Sequence, residues 1–267
     1  MSKRQGSNGE RPPNAAERRD QMLAAIQERH FLHVRELSQR FGISEVTVRS
    51  DLDALASRGD VHRIRGGAFP ALPERPFEES ETSFAEEKVA IGRAAAELVH
   101  DGEALLIDVG TTAAAAARAL SARTDLDNVV VFTNGLKTAL ELEPAHPRIT
   151  VVLLGGTLRP LQHSLVEPMA SLILEQITVH TLILGCNGVD PDAGVTNVNL
   201  PEAEVKRKML KAAQRVVVLA DGSKIGRTEL AHLCPIDRVD LVITGESADP
   251  QVVEQLRKRE CEVKIVS

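Results

Sequence analysis

The chain has 267 residues, of which six are Phe and none is Trp or Tyr, so its core must be built from aliphatic side chains. Stacking of bases on exposed aromatic rings, which many single-stranded RNA binders use, is therefore not expected. The three cysteines, Cys186, Cys234 and Cys261, form no C-x-x-C pair and indicate neither a disulfide framework nor a zinc site. The net charge of −6 argues against a wholly basic nucleic-acid binder.

Charge is divided unevenly along the chain. Residues 1–70 carry twelve Lys and Arg against nine Asp and Glu, whereas the remainder carries 20 against 29. This division predicts a small basic module joined to a large acidic one. Residues 1–15 are polar and without apolar periodicity, so we expect a disordered tail and no signal peptide. No apolar run approaches the ~18 residues of a membrane span, and we expect a cytoplasmic protein with no membrane partner.

Residues 16–69 carry the pattern of a winged helix-turn-helix domain. Apolar residues at helical spacing predict helices over residues 16–29 and 34–41. A third helix follows Ser44, a residue type that commonly caps helix N-termini. The basic stretch 61–67 then predicts a strand and a turn, which would form the wing.

The third predicted helix has a buried stripe and an outward face. Val48, Leu52 and Leu55 recur at spacings of four and three, so they should pack inward. Val46 would then point outward, where it could contact a thymine methyl group, and Arg49 suits bidentate contact with guanine. Further candidates for phosphate or groove contacts are Arg18, Arg19, Thr47, Ser50, Arg63 and Arg65.

Each of these side chains also has an ordinary explanation. Arg49 could be a solvated arginine, or it could form a surface pair with Asp51. For a single arginine the two explanations are evenly matched. The combination of three helices, a serine cap, a basic wing and Gly66-Gly67 favours double-stranded DNA over a protein as the partner of this module.

Two further regions follow the basic module. Residues 70–83, rich in Pro and Glu, predict an extended and solvated linker. From residue 84 to residue 267, apolar β-branched runs alternate with helical segments. This alternation predicts a doubly wound, mostly parallel α/β domain with helices on both faces. The predicted strands span residues 104–109, 129–133, 149–154, 181–185, 216–220, 239–244 and 263–266.

Several of these strands end in polar or glycine residues, at the edge where parallel sheets bind ligands. The stretch 104–112 runs from a strand through Gly110 into a helix, whose N–H groups and dipole suit a phosphate. The pattern predicts a phosphorylated sugar or polyol, although a turn or a surface charge explains any one residue more simply. The candidate ligand-binding residues are Asp108, Gly110, Thr111, Thr112, Thr133, Asn134, Gly155, Gly156, Arg159, Asn187, Glu202, Lys206 and Lys224.

Taken together, these motifs resemble the DeoR family of bacterial transcriptional regulators over nearly the whole chain from about residue 16. The resemblance implies a winged helix-turn-helix that binds operator DNA, usually to repress carbohydrate-utilisation genes. It also implies a sensor domain, similar in fold to ribose-5-phosphate isomerase, that binds a phosphorylated sugar, and an assembly into dimers or tetramers. The motifs that carry it are residues 43–52, 65–68, 108–112, 133–135, 154–159, 199–207 and 220–224.

An enzyme is the alternative from another class. A sugar-phosphate isomerase needs a carboxylate base and a partner acid beside the substrate, and Asp108, Glu202, Asp221 and Lys224 are candidates by residue type. However, Asn187 stands where the isomerase site carries an acidic cluster. This difference favours a pocket that binds without catalysing, so we expect a regulator rather than an enzyme, with no cofactor and no metal.

Overall fold

A computed structural model describes residues 14–29, 32–57, 60–64, 66–70 and 74–267. The chain divides into two compact units, Met1–Glu74 and Arg75–Ser267. Of the predicted tail, residues 1–15, the first thirteen lie outside the described residues. Its last residue, Ala15, begins helix α1, Ala15–Arg29. No helix within the described ranges combines the length and the apolarity needed to cross a membrane.

The first unit contains three helices and a small antiparallel sheet within its described residues. The sheet has the strand order β1-β3-β2, with Arg63 opposite Ala68. The predicted helices and the predicted wing strand are confirmed. Their bounds are α1 Ala15–Arg29, β1 Leu32–His33, α2 Val34–Phe41, α3 Glu45–Ser57, β2 Val61–Ile64 and β3 Gly67–Pro70.

The core of this unit follows the predicted apolar stripes. Val48, Leu52 and Leu55 of α3 are fully buried, and they pack with Met22 and Ile26 of α1. The N-terminus of α3 is capped as expected, since the Ser44 Oγ accepts the backbone N–H of Thr47 at 3.1 Å. The capped end fixes where α3 begins, and the buried stripe fixes which of its faces is presented outward.

The second unit is built on a parallel sheet of seven described strands, in the order β15-β14-β12-β9-β4-β5-β6. The bounds of these strands are β4 Ala104–Ile107, β5 Val129–Thr133, β6 Ile149–Leu153, β9 Val179–Gly185, β12 Ala213–Leu219, β14 Leu241–Gly245 and β15 Glu262–Val266. The other strands of the unit are β7 Thr157–Arg159, β8 Ser164–Val166, β10 Gly188–Asp190, β11 Gly194–Asn197 and β13 Ala231–Cys234.

Helices cover both faces of the seven-stranded sheet. Leu105 and Ile107 of β4 belong to one apolar core and Leu106 to the other, as the alternation of a strand requires. The predicted doubly wound α/β architecture is confirmed. The helices are α4 Phe77–Thr82, α5 Ala85–Ala96, α6 Thr111–Ser121, α7 Leu136–Leu142, α8 Met169–Leu174, α9 Leu200–Ala212 and α10 Pro250–Lys258.

Part of the predicted linker is wrong. Residues 70–83 are not extended throughout, because Phe77–Thr82 form helix α4 and Pro70 ends strand β3. The Phe77 side chain is buried against the second unit, which its Pro- and Glu-rich surroundings gave no reason to expect. Burial of one aromatic ring stabilises a short helix that its local sequence alone would leave solvated.

The loop-like stretch after β6 forms a two-stranded antiparallel hairpin, which we call the 157–166 hairpin. Its strands β7 and β8 pair with Leu158 opposite Leu165. At its base, a Cβ on Gly156 would lie 2.0 Å from the Val166 carbonyl oxygen, and the backbone φ there is +149°. Only glycine fits this close approach of two backbones.

Candidate functional site

The outward face of α3 carries the side chains predicted to contact DNA. Val46 is 73% exposed, an unusual position for an apolar side chain, and Arg49 and Ser50 are also exposed. Thr47 is partly exposed, and its Oγ1 lies 2.9 Å from the Ser44 Oγ. These residues lie on one helix face and present a methyl surface, a hydroxyl and a guanidinium, which are the groups that read base edges in the major groove.

The two arginines nearest this face are paired with carboxylates. The Arg49 guanidinium donates to the Glu45 carboxylate at 2.9 Å, one turn earlier on the same helix. Arg63 of β2 is paired with Asp53 of α3. Both pairs are solvent-accessible and cost little to exchange for a phosphate or a base. Arg65 lies outside the described residues.

The alternative of a surface pair between Arg49 and Asp51 does not hold, because each has another partner. Asp51 is buried on the inner side of α3, and it accepts the Nε–H groups of Arg18 at 2.7 Å and of Arg19 at 2.8 Å. Burial by itself raises the pKa of Asp51, but the hydrogen bonds from both arginines outweigh it and hold the pKa below its usual value. Arg18 and Arg19 therefore anchor α1 to α3. Their predicted contact with DNA phosphate would come in addition to this role.

The predicted ligand residues of the second unit converge on the carboxyl edge of the sheet. Ile107 of β4 lies opposite Thr133 of β5 and Ile183 of β9, so the residues after these strands are neighbours. Asp108 follows β4 directly and is completely buried. Its Oδ2 accepts the Gly185 N–H at 3.0 Å and is paired with the Lys206 ammonium.

Lys206 is an internal residue of this edge. Its Nζ also donates to the Gly185 carbonyl oxygen at 2.8 Å. Burial lowers the pKa of Lys206, but the charges of Asp108 and Glu202 outweigh it and the pKa is raised, which keeps the ammonium protonated. Burial also raises the pKa of Asp108, against the opposing effect of Lys206. The pairing with Lys206 uses only one carboxylate oxygen of Asp108, Oδ2, and leaves Oδ1 without a partner among the described residues.

Three buried polar atoms at this edge have no hydrogen-bond partner among the described residues: Asp108 Oδ1, Asn134 Oδ1 and Thr112 Oγ1. A buried polar group without a partner costs about 1–3 kcal/mol, and native proteins leave few of them without a reason. Asp108 and Asn134 follow neighbouring strands, and Thr112 lies in the first turn of α6. Two acceptors and one hydroxyl at a single edge suit a ligand that carries hydroxyl groups.

The N-terminus of α6 adds an anion-binding element to this edge. No side chain caps α6, in contrast to α9 and α10, which Asn199 and Asp249 cap. Gly110 precedes the helix with a φ of +119°, and a Cβ there would meet no atom within 4 Å. Free N–H groups beside open space attract a negatively charged group. Thr111, the first residue of α6, is partly exposed beside it.

Helix α9 contributes Glu202, one turn before Lys206. Glu202 is buried, and its Oε1 accepts the Ser164 hydroxyl at 2.6 Å and a guanidinium N–H of Arg159. The backbone N–H of Glu202 is in turn held by the Asn199 side chain at 3.0 Å. Arg159 and Glu202, both predicted to contact the ligand, lie together at this edge and form an ion pair with one another.

Lys224 lies after β12 in a 3₁₀ turn, with its Nζ 3.6 Å from Asp221 Oδ2. Lys88 of α5 lies close enough that the charge of Lys224 affects it. The pKa of Lys88 is lowered, first by burial and then by that neighbouring ammonium. Two cations, Lys88 and Lys224, and two carboxylates, Asp221 and Glu87, thus lie near the end of β12, where Glu87 accepts the Gly222 N–H at 3.2 Å.

Some predicted ligand residues make contacts that shape the turns in which they lie. Gly156 faces the backbone of the 157–166 hairpin, and Gly155 faces the side chain of Met169. The Oγ1 of Thr133 accepts the Gly135 N–H at 3.0 Å, which shapes the turn after β5. Asn187 is partly buried, and its Oδ1 accepts the Val198 N–H at 3.2 Å. The simpler explanation as turn residues accounts for these contacts.

Sequence reasoning missed two residues of the edge, Ser164 and Lys88. Ser164 is fully buried beside Glu202, although its neighbours in sequence form no recognisable motif. Lys88 falls on the inner side of α5, and a lysine among the apolar positions of a helix was the available signal. Burial raises the pKa of the Cys186 thiol to about 11, so this residue is not an activated nucleophile.

Comparison with known proteins agrees with this architecture. Residues 18–70 match the model of the DeoR-like helix-turn-helix domain, and residues 83–246 match that of the DeoR C terminal sensor domain. The chain is 31% identical to the "Putative aga operon transcriptional repressor" of Escherichia coli O157:H7, over 100% of this chain and 99% of that protein. It is 28% identical to the "Glycerol-3-phosphate regulon repressor" of Escherichia coli strain K12, over 93% and 98%.

Among solved structures, ribose 5-phosphate isomerase A of Methanocaldococcus jannaschii matches with a TM-score of 0.40 at 20% identity. That match covers 53% of this chain and 55% of the isomerase, and it is too distant to bear on function. The two family models together span both structural units, and the relatives match over their full length. The chain belongs to the DeoR family of transcriptional regulators.

Proposed function

We propose that the protein represses carbohydrate-metabolism genes by binding operator DNA through α3, and that a phosphorylated sugar bound at the carboxyl edge of the sheet controls this binding. The single observation that carries the ligand assignment is the set of unpartnered buried atoms, Asp108 Oδ1, Asn134 Oδ1 and Thr112 Oγ1, beside the uncapped N-terminus of α6. The hydroxyl groups of a sugar can bond to the three unpartnered atoms, and its phosphate suits the N-terminus of α6.

The DNA assignment rests on the exposed face of α3. Val46 and Arg49 point outward on the helix that the matching helix-turn-helix family uses for DNA contact, and neither is needed to fill the core. The pair of Arg49 with Glu45 is exposed and that of Arg63 with Asp53 is partly exposed, so both guanidinium groups can exchange their carboxylate for DNA. The first unit then supplies sequence recognition and the second supplies control.

We further propose that the sheet edge binds its ligand without transforming it. Each of the three candidate carboxylates lies beside a cation: Asp108 is paired with Lys206, Glu202 with Arg159 and Asp221 with Lys224. A neighbouring cation favours the ionised carboxylate and so disfavours its taking a proton from a substrate, while Asp108 Oδ1 can still accept a ligand hydroxyl. An assay of the purified chain with ribose 5-phosphate should show no formation of ribulose 5-phosphate, and turnover above the rate without protein would overturn this statement.

We also propose assembly into homodimers or homotetramers, which the family resemblance implies. Leu140 of α7 and Leu172 of α8 are 62% and 57% exposed, which leaves apolar surface available for a second copy. Light scattering on the eluting chain should give a mass of two or four copies. A monomer at micromolar concentration would contradict the proposal.

The ligand is tested by thermal denaturation of the full chain with a panel of sugar phosphates and the matching free sugars. A ligand that binds the folded state at a hundred times its Kd raises the stability by about 2.7 kcal/mol. At least one phosphorylated sugar should raise the Tm, and its unphosphorylated counterpart should not.

A matched pair of variants locates the site. Thr112→Val removes a hydroxyl that has no partner in the described structure, so the variant should fold and should lose the Tm shift. Thr244→Val is the control, because Thr244 Oγ1 is also buried and unpartnered but lies on β14, three strands from β4. A Tm shift that survives in Thr112→Val and vanishes in Thr244→Val would place the ligand elsewhere.

A further inference from the structure

The 157–166 hairpin contacts two places within the second unit. One is the carboxyl edge of the sheet, with Glu202 and Asn134. The other is the segment 75–82, which includes α4 and follows Glu74, the last residue of the first unit. Both strands of the hairpin bond to the edge, and its turn bonds to the segment, which Lys88 of α5 and Arg118 of α6 also contact at Ser80 and Glu81.

On the pocket side, both strands of the hairpin are bonded to candidate ligand residues. Arg159 of β7 and Ser164 of β8 both donate to the Glu202 carboxylate, the hydroxyl at 2.6 Å. The backbone N–H of Leu165 donates to the Asn134 carbonyl oxygen at 2.8 Å, and the Asn134 side-chain amide donates to the Leu165 carbonyl oxygen at 3.2 Å. A group that engages Asn134 or Glu202 therefore acts directly on the hairpin.

On the other side, the turn of the hairpin holds the segment 75–82. The Gln162 side-chain amide donates to the Arg75 carbonyl oxygen at 2.6 Å. The His163 Nε2 lies 2.7 Å from Glu78 Oε1. The His163 ring also packs edge-on against the buried Phe77 ring, with the centroids 5.7 Å apart and an interplanar angle of 72°. These three contacts join two adjacent residues of the turn, Gln162 and His163, to the segment 75–82.

Two backbone features and one further bond constrain the hairpin between these ends. Gly156 lets its two strands approach at the base, and His163 occupies a left-handed conformation with a φ of +51° at the tip. The backbone N–H of Leu136 donates to the His163 carbonyl oxygen at 2.9 Å, so the tip is also tied to the start of α7. Paired strands with tethered ends transmit a displacement instead of absorbing it.

We propose that the 157–166 hairpin is the element that reports occupancy of the sheet edge to the segment 75–82, with Gln162 and His163 as the positioning residues. This inference rests on the proposed function. A phosphate or hydroxyl that competes with Glu202 for Arg159, or engages Asn134, shifts the hairpin, and its turn carries Arg75, Phe77 and Glu78 with it. The segment 75–82 in turn leads along the chain to the DNA-binding unit.

The first test needs no ligand. Glu202→Gln weakens the pairing with Arg159, so hydrogen exchange measured by mass spectrometry on the full chain should speed up in peptides covering residues 75–82. We expect a change of about fivefold or more, the lower end of typical coupling between sites. Ser164→Ala, which removes only the hydroxyl contact to Glu202, should act in the same direction with a smaller effect.

Two controls separate transmission from general loosening. Glu204→Gln changes the same helix but breaks only its exposed pair with Arg207, so exchange in 75–82 should not change. In a Gln162→Met, His163→Ala background, Glu202→Gln should no longer alter exchange in 75–82 beyond the background itself. An equal effect of Glu202→Gln with and without the two turn contacts would overturn the inference.

A second experiment adds the sugar phosphate that raises the Tm most. In the wild type it should change exchange in 75–82, whereas in the Gln162→Met, His163→Ala variant the Tm shift should remain and the change in 75–82 should be lost. A response in 75–82 that persists in this variant would contradict the role of the hairpin. If no sugar phosphate raises the Tm, the proposed ligand is wrong, and the Glu202→Gln result still decides on the hairpin.

Discussion

Asp51→Asn should loosen the DNA-binding unit while leaving its surface chemistry unchanged. In the wild type the buried carboxylate accepts one hydrogen bond from Arg18 at 2.7 Å and one from Arg19 at 2.8 Å. The substitution keeps the volume of the side chain and removes its charge. Both guanidinium groups then lose their counter-charge at the contact between α1 and α3.

The magnitude follows from burial. A hydrogen bond to a charged group contributes about 1.5–3 kcal/mol. The Arg18 and Arg19 side chains are 18% and 33% exposed, so water replaces part of what is lost, and the retained amide oxygen still accepts one bond. We therefore expect a net loss of about 2–3 kcal/mol. A unit of this size has a total stability of only about 3–9 kcal/mol, so the loss is a large fraction.

Hydrogen exchange of the full chain measures this loss locally. Protection in peptides from α1 and α3 should fall about 30- to 150-fold in Asp51→Asn, since 1.4 kcal/mol is tenfold. Glu45→Gln is the matched control, because it breaks the exposed Arg49 pair on the same helix and should cost at most about 0.5 kcal/mol. Equal protection in the two variants would refute the anchoring role of Asp51.

The same contact predicts a pH dependence. The folded pKa of Asp51 lies below its usual value, so its contribution to stability is complete above the unfolded pKa of about 3.9 and is lost as the pH falls through the folded pKa. After correction for intrinsic exchange, wild-type protection in α3 should fall on acidification below about pH 4. The Asp51→Asn variant should show a smaller fall over the same range.

Two further predictions concern the recognition surface and the hairpin. Arg49→Ala should reduce discrimination between operator and unrelated DNA by about 1–3 kcal/mol, measured by fluorescence anisotropy, and unchanged discrimination would remove Arg49 from base contact. Gly156→Ala should lower the stability of the second unit by about 2 kcal/mol or more, because its Cβ would meet the Val166 carbonyl oxygen. Gly102→Ala is the control, because its Cβ would meet no atom within 4 Å and only the positive φ would cost energy, about 1–2 kcal/mol. Thermal denaturation in which Gly102→Ala is the more destabilised variant would contradict this prediction.

The local sequence pattern was sufficient to predict features that depend on a single helix or strand. The stripe of Val48, Leu52 and Leu55 determines the buried face of α3, and a serine at position 44 determines where that helix begins. The parallel sheet followed from apolar runs that need burial on both faces. These features depend on residues that are neighbours in sequence or one helical turn apart.

Contacts between distant residues could not be predicted in this way. Asp108 and Lys206 are 98 positions apart, and Asp51 lies 33 positions from Arg18, so only the assembled fold pairs them. The linker prediction failed for the same reason, because Phe77 is buried by a surface made of other parts of the chain. Local pattern predicted that Asp108, Glu202 and Lys206 lie at the sheet edge, but it did not predict their partners.

If a ligand at the sheet edge controls binding to DNA, the affinity of the protein for its operator must differ with and without that ligand. The operator is first selected from random duplex DNA by the full chain itself, and its Kd is then measured at fixed salt with saturating sugar phosphate. In the wild type, the Kd should change about 5- to 150-fold. In Lys224→Ala or Thr111→Ala, the affinity without ligand should persist and the response should disappear. An operator affinity that a demonstrably bound sugar phosphate leaves unchanged in the wild type, or a full response in both variants, would contradict the account.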